Sequence, residues 1–118
     1  DNISTKWTIL NAINTFKMPR ISRHNDLAKT GHACSTVAPV RASQFSVFAN
    51  GRAVLRPGDK LKPHKILVAP PKRCVGHKAK VKRGSRSVFA QGKPVARVGD
   101  KADFGAMKQG SFTVFAGG

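Results

Sequence analysis

The 118 residues carry 22 Lys and Arg against five acids, all of them Asp, for a formal charge of +17. A chain of this length forms one domain around a thin core, so a metal or a partner is expected to supplement it. No apolar run approaches the roughly 20 residues that span a bilayer, and the lack of Glu beside plentiful Val, Phe, Ala, Gly and Pro favours short strands and tight turns over helices.

Residues 1–17 (DNISTKWTILNAINTFK) precede the patterned part of the chain. Asp1-Asn2-Ile3-Ser4 lacks the charged-then-apolar shape of a secretory signal, so Sec export is not expected. Trp7, Ile9, Leu10, Ile13 and Phe16 make a broad apolar face at helical spacing. This stretch reads as an N-terminal extension: a leader, a partner-derived piece or an added run. The domain proper is expected over 18–118, from Met18-Pro19 onward.

From there the chain repeats itself. Three segments end alike: Ser46-Val47-Phe48-Ala49-Asn50-Gly51, Ser87-Val88-Phe89-Ala90-Gln91-Gly92 and Thr113-Val114-Phe115-Ala116-Gly117-Gly118. Each reads as a short strand running into a glycine turn. The first two continue at identical spacing through Arg56-Pro57-Gly58-Asp59 and Arg97-Val98-Gly99-Asp100, and Arg23-His24-Asn25-Asp26 stands where a first cycle would begin. Three cycles thus start at Asp26, Asp59 and Asp100, each followed by an insert of different length. The expected fold is all-β: a small cone of three pseudo-threefold β-hairpin repeats, too small to stand alone and packed on one another. The three Asp are expected to accept backbone N–H bonds in turns.

The inserts hold both cysteines and three of the four histidines, and those are expected to gather at the end opposite the hairpins. Cys34 and Cys74 could form one disulfide. Each also lies near a histidine, in Gly31-His32-Ala33-Cys34 and Cys74-Val75-Gly76-His77, which favours metal ligation because thiolate and imidazole together suit zinc. Enzyme motifs are missing: there is no Gly-x-Ser-x-Gly, phosphate loop or His-Glu-x-x-His. With three of five Asp in turns, little remains for paired-carboxylate chemistry, and a non-enzymatic role is expected.

The ordered set of Gly-Ser, Val-Phe-Ala, Asn50-Gly51 and Arg-x-Gly-Asp resembles the PAAR-repeat proteins, spike tips of type VI secretion systems and contractile phage tails. The tetrapeptide behind that name has its counterparts in Pro94-Val95-Ala96-Arg97 and, more loosely, Ala53-Val54-Leu55-Arg56. The resemblance covers about Met18 to Gly118. It implies a triangular base docked on the blunt end of a trimeric β-helical spike, one tip per trimer, and an apical zinc held typically by three His and one Cys. Carried over, the zinc ligands are His32, His64, His77 and Cys74, with Cys34 as the alternative to Cys74. A closed quartet of that kind is structural. Many relatives carry Cys after the third Gly-Asp where this chain has Phe104, so the third cycle is expected to supply no ligand.

The resemblance further implies that Val47, Phe48, Val88, Phe89, Val114 and Phe115 contact the spike, with one side chain of each pair facing it. A monomeric tip, in a virion tail or delivered outside the cell by an injection machine after cytoplasmic assembly, would meet the target outer membrane transiently, helped by its charge. The rival reading is a small basic, zinc-stabilised nucleic-acid-binding domain. It leaves the matched hairpins unexplained, and the densest basic stretch, Lys72 to Arg86, has no aromatic for base stacking.

Overall fold

In a computed structural model, residues 18–117 are described; the expected extension at 1–17 lies outside them. Ten short strands form five antiparallel hairpins: β1 (Leu27–Lys29) with β2 (Val37–Pro39), β3 (Phe48–Ala49) with β4 (Arg52–Ala53), β5 (His64–Val68) with β6 (Arg73–His77), β7 (Phe89–Ala90) with β8 (Lys93–Pro94), and β9 (Lys101–Ala102) with β10 (Gly105–Met107). The described residues contain no helix, so the all-β expectation holds. β10 also pairs with β1, giving the sheet order β2-β1-β10-β9 and closing the third insert on the first.

A ring of three backbone hydrogen bonds reveals the pseudo-threefold axis. The Leu55 N–H donates to Ser22 O (3.0 Å), the Ala96 N–H to Leu55 O (2.7 Å), and the Ser22 N–H to Ala96 O (2.9 Å). Each cycle contributes one residue, and the ring closes on itself. Around it the same turn is built three times. The Arg23, Arg56 and Arg97 N–H groups donate to Oδ2 of Asp26, Asp59 and Asp100 at 2.7, 2.8 and 2.8 Å. The Asp N–H returns to the same Arg carbonyl in each case. Turn formation is therefore what these three Asp do.

The residue before each Asp sits in the left-handed region: Asn25 at φ 69°, Gly58 at 95° and Gly99 at 92°. Asn tolerates that conformation better than most side chains do, which explains how Asn25-Asp26 stands in for Gly-Asp. Each arginine then reaches the next hairpin turn: Arg23 to Asn50 Oδ1, Arg56 to Ala90 O and Arg97 to Gly117 O. The repeated Arg is thus a tie between neighbouring repeats as well as part of its own turn.

The third hairpin is assembled from both ends of the described chain. Arg20 pairs with Phe115, the Ile21 N–H donates to Val114 O (2.9 Å), and the Ala116 N–H to Pro19 O (3.1 Å). Arg20-Ile21-Ser22-Arg23 thereby occupies the place that Ala53-Val54-Leu55-Arg56 and Pro94-Val95-Ala96-Arg97 hold in the other two cycles.

Two apolar layers stack along the axis. Ile21, Ala49, Val54, Ala90, Val95 and Ala116 fill the layer at the hairpin base. Leu55 and Ala96 lead into a second layer with Ala28, Ala38, Val40, Leu61, Val81, Ala102 and Met107. Alanine is frequent because strands from three repeats crowd the axis. The closest approach is at Gly105, where a Cβ would stand 2.1 Å from Lys29 O. That position admits only glycine while β1 and β10 remain paired.

Candidate metal centre

Beyond the second layer the three inserts meet. His32 follows β1 after Gly31, which takes φ 78° and has no room for a Cβ against the Phe104 carbonyl at 2.5 Å. That contact presses the first insert onto the third. His64 opens β5 and His77 closes β6, directly opposite each other in register. Asp103 sits in the tight turn between β9 and β10 at φ 54°, a conformation Asp tolerates.

The four side chains converge, with ligand atoms all within 4.8 Å of one another. His32 Nε2 and His64 Nε2 both lie 2.8 Å from Asp103 Oδ2 and 3.2 Å from each other, and His77 Nε2 lies 3.0 Å from Asp103 Oδ1. The Asp103 side chain is 2 % exposed, His64 4 %, His32 8 % and His77 24 %. Phe104 stacks on the His77 ring and meets His32 edge-on, shielding the cluster from the side.

The far nitrogens decide what the near ones can do. His64 Nδ1 lies 2.9 Å from Lys62 O, and His32 Nδ1 lies 3.2 Å from Ala33 O. A carbonyl only accepts, so each Nδ1 carries its proton and donates. A neutral ring then turns a lone pair on Nε2 toward the cluster. Two such lone pairs facing one carboxylate oxygen need a cation among them, either added protons or a metal ion. The donor set is three imidazoles and one carboxylate, which can hold a divalent transition metal.

Burial pushes the Asp103 carboxyl up, but the hydrogen bonds that His77, His32 and His64 donate, and the charge of His32, when protons rather than a metal occupy the Nε2 positions, outweigh it and leave the group below its ordinary 3.8. A depressed folded value contributes stability that is present above the unfolded pKa and lost as pH falls through the folded one. Asp103 is therefore a carboxylate throughout the neutral and mildly acid range.

Among the ligands carried over by resemblance, His32, His64 and His77 come together and Cys74 does not. Cys74 is bonded to Cys34 in a disulfide, with Cα atoms 6.0 Å apart, so neither sulfur offers a thiolate. Strand geometry explains the separation. Cys74 and His77 both lie on β6, three residues apart, and an odd separation on a strand puts side chains on opposite faces. Cys-x-x-His spacing converges in a loop and diverges in a strand. The third insert, expected to supply no ligand, nonetheless places Asp103, immediately before Phe104, as the fourth side chain of the cluster. One signal marked it: Asp103 is the only Asp after the N-terminal extension that no Arg-x-x-Asp turn uses.

At the opposite end, the hairpin base exposes Phe48 (52 %) and Phe89 (56 %), with Val47 and Val88 open to a lesser degree, while Val114 and Phe115 are half-buried. Ala49, Ala90 and Ala116 turn inward. Both members of the first two pairs thus reach solvent, contrary to a strict alternation. Phe45 and Phe112 are also exposed, at 64 and 81 %; each lies just before one of the repeated strand segments and was missed in the sequence. A threefold bracket holds this face: Gln44 Oε1, Ser85 Oγ and Ser111 Oγ each accept two backbone N–H bonds from the strand start that follows.

No curated protein matches the chain. The PAAR motif matches residues 30–110, more than half of the 118 and a span containing all four residues of the cluster. With three matched hairpins, a closed axial ring and inserts gathered at one end, the chain belongs to the PAAR-motif family, whose members form spike tips of contractile injection systems.

Proposed function

We propose that this protein caps and sharpens a trimeric β-helical spike in a phage tail baseplate or a type VI secretion system, one chain per trimer, and helps the spike enter the target cell envelope without catalysing a reaction. The observation that carries this reading is the axial ring of Ser22, Leu55 and Ala96. A single chain with three near-equivalent hairpins can present a similar surface to each of three identical partners. Val47, Phe48, Val88 and Phe89 would fill the joint, with Val114 and Phe115 at its third corner and Phe45 and Phe112 beside them.

In the same reading His32, His64, His77 and Asp103 hold one metal ion, zinc being the ion that suits four-coordinate nitrogen and oxygen donors. When bound, it would supply a structural cross-link among all three inserts. Four protein donors leave no open position for catalysis.

Docking tests the proposal. Phe48→Asp with Phe89→Asp is expected to weaken binding to the trimeric spike protein from the same source by about 100-fold or more, because unpaired carboxylates would be buried in the joint. Surface plasmon resonance at moderate salt reads this out. Affinity unchanged in the double variant would remove the base from the interface.

A further inference from the structure

The point of the molecule farthest along the second insert is the β5–β6 hairpin, and the metal cluster sits at its foot. His64 pairs with His77 at the start of the hairpin and Val68 with Arg73 at its end. Four steps of about 3.3 Å carry it roughly 13 Å past the cluster. The first insert braces its lower part: the Ser35 N–H donates to Lys65 O (3.0 Å), the Leu67 N–H to Ala33 O (3.3 Å), Cys34 bridges Ile66, and the disulfide holds Cys74. Val68 to Arg73 lie beyond those ties.

That end has an unusual composition for exposed backbone. Ile66-Leu67-Val68-Ala69-Pro70-Pro71 is an unbroken apolar run, in which Leu67, Ala69, Pro70 and Pro71 are exposed and Ile66 and Val68 half-buried. Such runs on a solvated surface mark a contact. Lys65 bounds the run on one side and Lys72-Arg73 on the other, and the chain has no acid anywhere between Asp59 and Asp100. Lys60, Lys78, Lys80 and Lys82 line a cavity of about 340 Å³ beside His77, Asp103 and Phe104, at the foot of the same hairpin. The two prolines carry no N–H, so the turn brings few unpaired donors into a layer poor in water.

An apolar end ringed by cations is complementary to one surface above others: an interface with hydrocarbon beneath and phosphate around it. We propose that the β5–β6 hairpin is the membrane-contact element of this tip, its apolar end entering the interfacial layer of an anionic bilayer while Lys65, Lys72 and Arg73 meet lipid phosphates. This deepens the spike-tip reading and rests on it for the moment of contact.

The test is flotation of the purified full chain with vesicles of phosphatidylcholine, alone or mixed with phosphatidylglycerol. Binding is expected only to the mixed vesicles. Leu67→Ser with Val68→Ser, and separately Lys72→Gln with Arg73→Gln, are each expected to lower the bound fraction about tenfold. Arg86→Gln with Lys93→Gln, which removes the same charge near the hairpin base, is expected to change it less than twofold. Metal content and the disulfide, measured on every variant, report folding, and the charge variant stands if the apolar one misfolds. Equal loss in the base-side control, wild-type binding by the charge variant, or no binding to mixed vesicles would overturn the proposal. Spike docking by the two hairpin-end variants separates the two readings: it is expected to be unchanged, and a wild-type chain that binds vesicles but no spike would sink the spike-tip reading alone.

Discussion

Asp103→Ala is expected to weaken metal binding sharply, leaving three imidazoles and a water, while Cys74→Ser retains one ion per chain at wild-type affinity. Removing the carboxylate leaves three imidazoles with no anion to balance a divalent cation, whereas Cys74 Sγ is bonded to Cys34 and takes no part in the cluster. A structural zinc site contributes on the order of 10 kcal/mol to folding at neutral pH, comparable to the whole stability of a small domain. At about 4–8 °C per kcal/mol for a chain near this size, metal removal is expected to lower the melting temperature by tens of degrees. Elemental analysis and thermal denaturation of the two variants check this. A Cys74→Ser protein without metal beside an Asp103→Ala protein with a full ion would place the sulfur back in the site.

The disulfide is the second large effect. It closes a separation of 40 residues and joins the first insert to the hairpin of the second. Chain-entropy arguments give about 4 kcal/mol for a loop of that length. Cys34→Ser with Cys74→Ser is therefore expected to lose about 2–4 kcal/mol against denaturant with metal content unchanged. Since cytosolic thiols are held reduced, a tip made inside a cell would hold its apex by the cluster first and gain the disulfide after reaching an oxidising environment. Urea denaturation of oxidised and reduced wild type reads the difference; equal midpoints would show that the bond adds nothing to the metal-loaded fold.

Much of this architecture was legible before any coordinates. The equal spacing from Val47 to Asp59 and from Val88 to Asp100 exposed the repeat, and the left-handed turn it demands accounts for Gly58, Gly99 and Asn25 alike. The gathering of His32, His64 and His77 was legible because inserts between equal strands must leave from the same side, and the PAAR resemblance implied that they are ligands. What stayed hidden depends on pairing between distant segments. Cys74 and His77 look like ligand spacing until β6 forms and sends them to opposite faces. Asp103 reaches the cluster only because β10 pairs with β1 and Gly31 packs on Phe104. The strand that completes the third hairpin was not named because Arg20-Ile21 and Phe115 lie at opposite ends of the repeat region, with Ser22 where the other cycles have Leu55 and Ala96. Phe45 and Phe112 sit outside the repeated tetrad, and burial rather than spacing is what distinguishes them.

The most direct measurement is the stoichiometry of the complex with the trimeric spike, by native mass spectrometry at moderate salt. Three hairpins around one axis predict a single chain bound to each trimer, saturating there with excess tip. Three chains per trimer, or no complex while the metal-loaded tip remains folded, would contradict the account.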